Sequence, residues 1–222
     1  MLFPMRYDAI MGDSLTLYYV HDPMCSWCWG FRPVWSRVMR ELPDRVAVRY
    51  LLGGLAPDTS APMPESMRQS IRQTWQRIQT EIPGTRFNFD FWERCVPRRS
   101  TYAACRAIIA ARQQNSDAGR RMLLAIQEAY YLHAKNPSDT EVLIDLATQL
   151  DLDSSAFSDS LRSEETQRAL LGEFAERDRL GAYNFPSLYL ESGSNMQFVQ
   201  IDYVDAGRQV RLITEQIDKL AG

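Results

Sequence analysis

Cys25 and Cys28, which stand as Cys-Ser-Trp-Cys, are the residues of this chain best suited to covalent chemistry. A thiol attacks as its thiolate, and a free cysteine with a pKa of about 8.5 is mostly protonated at neutral pH. A helix N-terminus shifts that balance, because its unpaired N–H groups and the positive end of its dipole stabilise an anion. Cys25 stands where a helical pattern begins, and Cys28 follows one turn later on the same side, so the two can close a short disulfide. The chemistry this allows is exchange: Cys25 attacks a disulfide and Cys28 resolves the mixed disulfide that results. Ser26 and Trp27 tune the relative stability of thiolate and disulfide through local dipoles and steric fit. Of the aromatic residues Trp27, Trp29 and Trp35, a direct contact with a bound partner is assigned to Trp27, and core filling to the others. His21, at the end of the preceding apolar run, can donate a hydrogen bond to a thiolate or serve the packing of the site.

The remaining cysteines and the composition narrow the field. Structural zinc needs four ligands, and the chain offers one Cys-x-x-Cys and two histidines, His21 and His133, so no metal is expected. Cys95 and Cys105 fall in a helical region, Cys105 on an apolar face, which reads as core filling rather than a second redox pair. Four cysteines in 222 residues are too few for a disulfide-stapled secreted scaffold. A net charge of −3 with both signs dispersed shows no basic footprint, which excludes nucleic acid and anionic membrane as expected partners and leaves protein or small-molecule thiols and disulfides. The first residues, Met-Leu-Phe-Pro-Met-Arg-Tyr-Asp, are interrupted by proline and charge and support neither a signal peptide nor a spanning helix. Residues 1–12 are expected to be an N-terminal extension and the protein to be cytoplasmic.

The elements that must position these residues follow from periodicity. Residues 15–20 read as a strand buried on both faces, and 46–52 as another that stops at Gly53-Gly54. Between them, Phe31, Val34, Trp35, Val38 and Leu42 mark a helix from Cys25, with Pro33 expected to kink it or end its first part. From Pro62 to Gly181 helical spacing dominates, as in Met67, Ile71, Trp75 and Ile78, or Met122, Ile126 and Tyr130. Ser138 and Glu141 suggest a capping box, and a long helix is expected over 163–180. Strand character returns at 187–190 and 196–201 as a hairpin, and Val210, Ile213, Ile217 and Leu220 close the chain with a helix. The fold class is therefore α/β: a thioredoxin fold, βαβ…ββα, with a large all-helical insertion between the second and third strands. The expected domains are 13–60 with 182–222, and 61–181.

Four stretches of this chain resemble the DsbA-like thioredoxin-fold family, in particular its cytoplasmic FrnE-type branch of disulfide oxidoreductases and isomerases. They are His-Asp-Pro-Met-Cys-Ser-Trp-Cys-Trp-Gly-Phe at 21–31, Phe-Asn-Phe-Asp-Phe-Trp at 87–92, Gln-Glu-Ala-Tyr-Tyr at 127–131 and Phe-Pro-Ser-Leu at 185–188. The resemblance implies that Pro186 is cis and faces the Cys-x-x-Cys, with Phe185 and Pro186 lining the substrate groove. It also implies a buried acid near the resolving cysteine, for which Asp22 is the nearest candidate. No cofactor is required, and glutathione is a possible thiol co-substrate. The same family holds kappa-class glutathione transferases and 2-hydroxychromene-2-carboxylate isomerases, which generally carry serine where Cys25 stands. For that alternative, Arg98-Arg99 could hold a glutathione carboxylate or simply form a solvated interhelix turn. A third alternative is a non-catalytic thioredoxin-fold binding module.

Overall fold

The computed structural model describes residues 15–221, so the N-terminal extension assigned to 1–12 lies outside the described residues. The chain opens with β1 (Leu15–His21), α1 (Ser26–Glu41) and β2 (Val46–Leu52). It then passes through α2 (Glu65–Glu81), α3 (Phe91–Arg94), α4 (Tyr102–Gln114), α5 (Ala118–Tyr131), α6 (Thr140–Gln149), α7 (Ser154–Arg162) and α8 (Glu164–Arg179). It closes with β3 (Ser187–Ser192), β4 (Asn195–Val199) and α9 (Ala206–Ala221). The sheet order is β2-β1-β3-β4, with β1 and β2 parallel and the other pairs antiparallel. This is the thioredoxin arrangement with its all-helical insertion between the second and third strands.

Alternation along β1 divides the protein into layers. Leu17 and Tyr19 face α1 and α9, in a core shared with Phe31, Val34, Trp35, Ile213 and Ile217. Tyr18 and Val20 face the other way, towards Leu180 and Ala182 at the end of α8. The largest cluster fills the helical region and takes in Met24, Trp29 and Leu52, so the insertion and the sheet share packed side chains around the Cys-x-x-Cys.

Three local expectations are corrected. Of the two effects expected at Pro33, ending the helix does not occur: α1 runs from Ser26 to Glu41. Proline inside a helix costs about 3 kcal/mol, but Phe31, Val34, Trp35 and Val38 on either side of it are all buried and hold the helix together. The capping box does not form. Asp139 is the N-cap of α6, its carboxylate pairs with Arg98, and the Ser138 hydroxyl donates to the Ser100 carbonyl at 2.8 Å. Strand β4 ends at Val199 rather than Ile201, because the fully buried Gln209 accepts from the Asp202 N–H at 2.7 Å and donates to the Gln200 carbonyl at 3.2 Å, pulling that segment off the ladder.

Candidate active site

The site begins at the C-terminal end of β1. After His21 the chain turns over Asp22-Pro23-Met24, closed by the Cys25 N–H donating to the Asp22 carbonyl at 3.1 Å, and α1 starts. Cys25 is the N-cap of α1 in extended backbone, and its sulfur accepts from the Cys28 N–H at 3.4 Å. Cysteine is an uncommon N-cap; here its sulfur does what a serine or aspartate oxygen does elsewhere, satisfying one of the orphan donors of the first turn. Cys25 is 6% exposed and Cys28 is fully buried, and both are free thiols. Burial, then the hydrogen bond and charge of Cys25, push the Cys28 thiol well above its ordinary range. The exposed edge of the pair is therefore Cys25, and the protected member is Cys28.

Across from the helix start, the Phe185–Pro186 peptide is cis, and the Cys25 thiol donates to the Phe185 carbonyl at 3.3 Å. The two stretches, 160 positions apart in sequence, meet because β1 and β3 are adjacent antiparallel strands. Gly53 supports this meeting. A Cβ there would lie 2.3 Å from the Phe185 ring, so only glycine lets the ring sit over the end of β2. In the sequence, Gly53 reads as a strand terminator alone.

Asp22 is buried completely beside this pair. Its carboxylate accepts from the Met24 N–H at 2.8 Å, the Leu55 N–H at 2.7 Å and the Thr101 hydroxyl at 2.7 Å, with the Cys105 thiol at 3.7 Å. Burial pushes its carboxyl up, opposed by the Leu55, Thr101 and Met24 donors, each of which favours the anion. The Asp22 charge in turn contributes to the upward push on Cys28. Thr101 and Cys105 come from the far side of the insertion, and no local sequence signal ties them to Asp22. Cys105 is buried and its thiol is driven well up, by burial first and then by Asp22.

The other expected residues separate by role. Trp27 is half-buried, its ring 5.1 Å from Tyr203 and under the Arg77 guanidinium at 5.3 Å. It walls a hollow of about 290 Å³ with Ile82, Ile201, Tyr203 and Leu212. Trp29 donates to the Arg86 carbonyl at 3.0 Å and stacks on Tyr131, and Trp35 donates to the Tyr50 hydroxyl at 2.9 Å; both are buried. Ser26 accepts from the Trp75 indole at 2.8 Å. Trp75 is itself ringed by Phe87, Phe91, Trp92, Tyr130 and Tyr131, so the two middle motifs form an aromatic mass behind the Cys-x-x-Cys. His21 is 2% exposed, stacked on Tyr19, and its Nδ1 has no hydrogen-bond partner among the described residues. Desolvation, reinforced by Arg112, drops its pKa to about 3, so it is neutral. Arg98 is spent on Asp139 and the Ser138 carbonyl, tying the turn before α6. Cys95, half-buried, donates to the Ala134 carbonyl at 3.2 Å. No cluster of residues suited to a metal ion occurs among the described residues.

Residues 18–197 match the family model described as thioredoxin, more than half of the chain. The chain belongs to the thioredoxin family. Solved structures share its fold. A candidate protein disulfide isomerase from Nitrosomonas europaea superposes with a TM-score of 0.79 at 26% identity, covering 93% of this chain and 99% of that one. The cytosolic disulfide reductase DsbM from Pseudomonas aeruginosa follows the same fold at a TM-score of 0.72 and 24% identity, covering 92% and 99%. Curated relatives carry a different description. ClpXP adapter protein SpxH of Halalkalibacterium halodurans is 28% identical over 160 residues, 70% of this chain and 52% of that protein. SpxH of Bacillus subtilis is 28% identical over 158 residues, 70% and 51%. The chain thus spans about half the length of the curated relatives it matches.

Proposed function

We propose that this protein is a thiol–disulfide oxidoreductase of protein or small-molecule disulfides, working in the cytoplasm. The observation that carries the reading is Cys25 at the N-cap of α1, with its sulfur between the Cys28 N–H and the Phe185 carbonyl. The Cys25 thiolate attacks one sulfur of the substrate disulfide, the S–S bond breaks, and the leaving thiolate takes a proton. Cys28 then loses its proton and attacks the Cys25 sulfur, forming the internal disulfide and releasing the second substrate thiol. Cys28 needs a base for that step, because its thiol is held protonated by burial. Asp22, an acid whose own carboxyl is pushed up, is the group suited to receive that proton.

Trp27, Phe185 and Pro186 form the substrate contact in this reading, and Ser26 locks the intervening dipeptide to Trp75. His21 supports the site by packing. A thiol reductant must reopen the internal disulfide, and glutathione, a small thiol, fits that role as co-substrate; a solved DsbM structure contains it. The test is differential alkylation with mass spectrometry, followed by insulin reduction. A Cys25–Cys28 disulfide in the oxidised protein and loss of turnover in Cys25→Ala support the reading; two free thiols under every oxidising condition refute it.

A second reading, a binding module that presents a protein partner to another assembly, is favoured by the SpxH description of the curated relatives. Full partner binding by a Cys25→Ala, Cys28→Ala double variant, together with absent turnover in the native protein, would select it.

A further inference from the structure

A second cavity, away from the Phe185 side of the redox pair, opens along the free edge of β2. Among the described residues that strand has β1 as its sole neighbour in the sheet, and its outer edge faces α4, α5 and α8 across a cleft of about 430 Å³. This is the size range of a small-molecule site. Its charged groups are Arg49, Arg112 and Arg120 against the single carboxylate Glu173. The start of α5 also borders it, through Gly119 and Arg120 in the first turn and Ser116 just ahead of the N-cap, so the positive end of a 14-residue helix lies at the same space.

His21 lines the cavity as well, 2% exposed with an unpartnered Nδ1. That atom is closed off within the wall, an unmet hydrogen-bonding group beside the cleft. Glu173 shows how a carboxylate sits here: one oxygen accepts from the Leu52 N–H of β2 at 2.7 Å and the other pairs with Arg112. Arg49 and Arg120 form pairs nearer the solvent. Arg49 meets Glu176 at 3.4 Å, and Arg120 pairs at 2.7 Å with Asp117 on an exposed helix end, pairs of a kind that contribute little. The remaining wall is apolar, from Val48, Leu51, Ile108 and Leu123 with the Tyr50 ring.

We propose that this cleft binds a small organic carboxylate with an apolar body, the carboxylate held by Arg120 and the α5 N-terminus near His21 and the body lying against Leu123, Ile108 and Val48. The cleft shares Tyr50, Arg120 and Leu123 with a smaller hollow, about 170 Å³, whose wall includes Cys28. The cleft therefore adjoins the hollow that borders the resolving thiol. The site itself does not depend on the thiol chemistry.

The chain has two histidines, and His133 is exposed beyond the far end of α5, so imidazole NMR of the full chain follows His21 with His133 as an internal control. Titration with phenylacetate should move the His21 signals saturably and leave those of His133 in place. Arg120→Glu, a reversal on an exposed side chain, should weaken binding at least about tenfold, and Leu123→Trp, which fills the apolar wall, should abolish it while the thermal melt stays cooperative. An unmoved His21 at millimolar phenylacetate, equal affinity in both variants, or an equal response to inorganic phosphate would overturn the proposal.

Discussion

His21 gives the sharpest test of how burial shapes this protein. Its imidazole ordinarily titrates at 6.5 but is held to about 3 in the fold, by desolvation and by Arg112. The unfolded chain therefore takes up a proton as pH falls through 6.5, while the folded chain refuses it until about 3. More protons on the unfolded state means that stability falls with acid. Integrated from neutral pH to about pH 4, that difference costs about 3 kcal/mol, since each pH unit over which only the unfolded chain holds the proton is worth ~1.4 kcal/mol. Asp22 works the other way. Its raised carboxyl gains stability as pH falls through its folded pKa, but it is present in both proteins compared and cancels. Replacing His21 with phenylalanine keeps the stack on Tyr19 and removes the titration. Urea denaturation of wild type and His21→Phe across this pH range should show wild type losing about 3 kcal/mol more than the variant on acidification. Parallel pH dependences, within about 0.5 kcal/mol, would falsify the assignment of a neutral, proton-refusing His21.

Other consequences can be measured alongside. Gly53→Ala drives a Cβ into the Phe185 ring and should cost about 1–3 kcal/mol in a chemical melt, with insulin reduction slowed about ten- to a hundredfold as Cys25 loses its partner geometry. Thr101→Val deletes a donor to Asp22 and the acceptor of the Ala56 N–H; destabilisation of about 1–3 kcal/mol is expected by calorimetry, and a neutral effect would mean the contacts are idle. Ser26→Ala strands the buried Trp75 indole N–H, so a loss of about 1–2 kcal/mol with altered near-UV circular dichroism should follow. Under brief alkylation of the reduced native protein, Cys105 should stay unlabelled until urea is added, because it is buried and its thiol is pushed well up.

The strand–motif–helix unit was legible because its signals are local: a β-branched and aromatic run, a turn with proline, then apolar residues at helical spacing. The same holds for α8, expected over 163–180 and found at Glu164–Arg179, where Ser163 accepts from the Thr166 N–H. Helix α7 does not separate from its neighbours in the sequence, since nine residues with two buried side chains, Phe157 and Leu161, leave little periodicity to read. At the site, the positions of Cys25, Cys28 and Phe185–Pro186 followed from motif and resemblance. Gly53, Thr101 and Cys105 did not. Their roles come from contacts across the fold, a ring over a glycine and a carboxylate gathering donors from distant elements, and nothing in their immediate neighbours encodes that.

Strand β1 lies at the middle of the sheet, yet Leu15 pairs with Ser192, and the two are separated by nearly the whole chain. During synthesis the first strand and the Cys-x-x-Cys leave the ribosome long before β3 exists, so the helical segment must gather around an unfinished sheet with one flank of β1 unpaired. Long-range pairing of this kind slows folding and lengthens exposure of open strand edges. The Phe185 carbonyl reaches Cys25 only once about five-sixths of the chain has been made, so the cysteine pair acquires its mature surroundings late in assembly. A nascent or C-terminally truncated chain would carry the same two cysteines without the Phe185 carbonyl beside them, and the finished sheet is what encloses them.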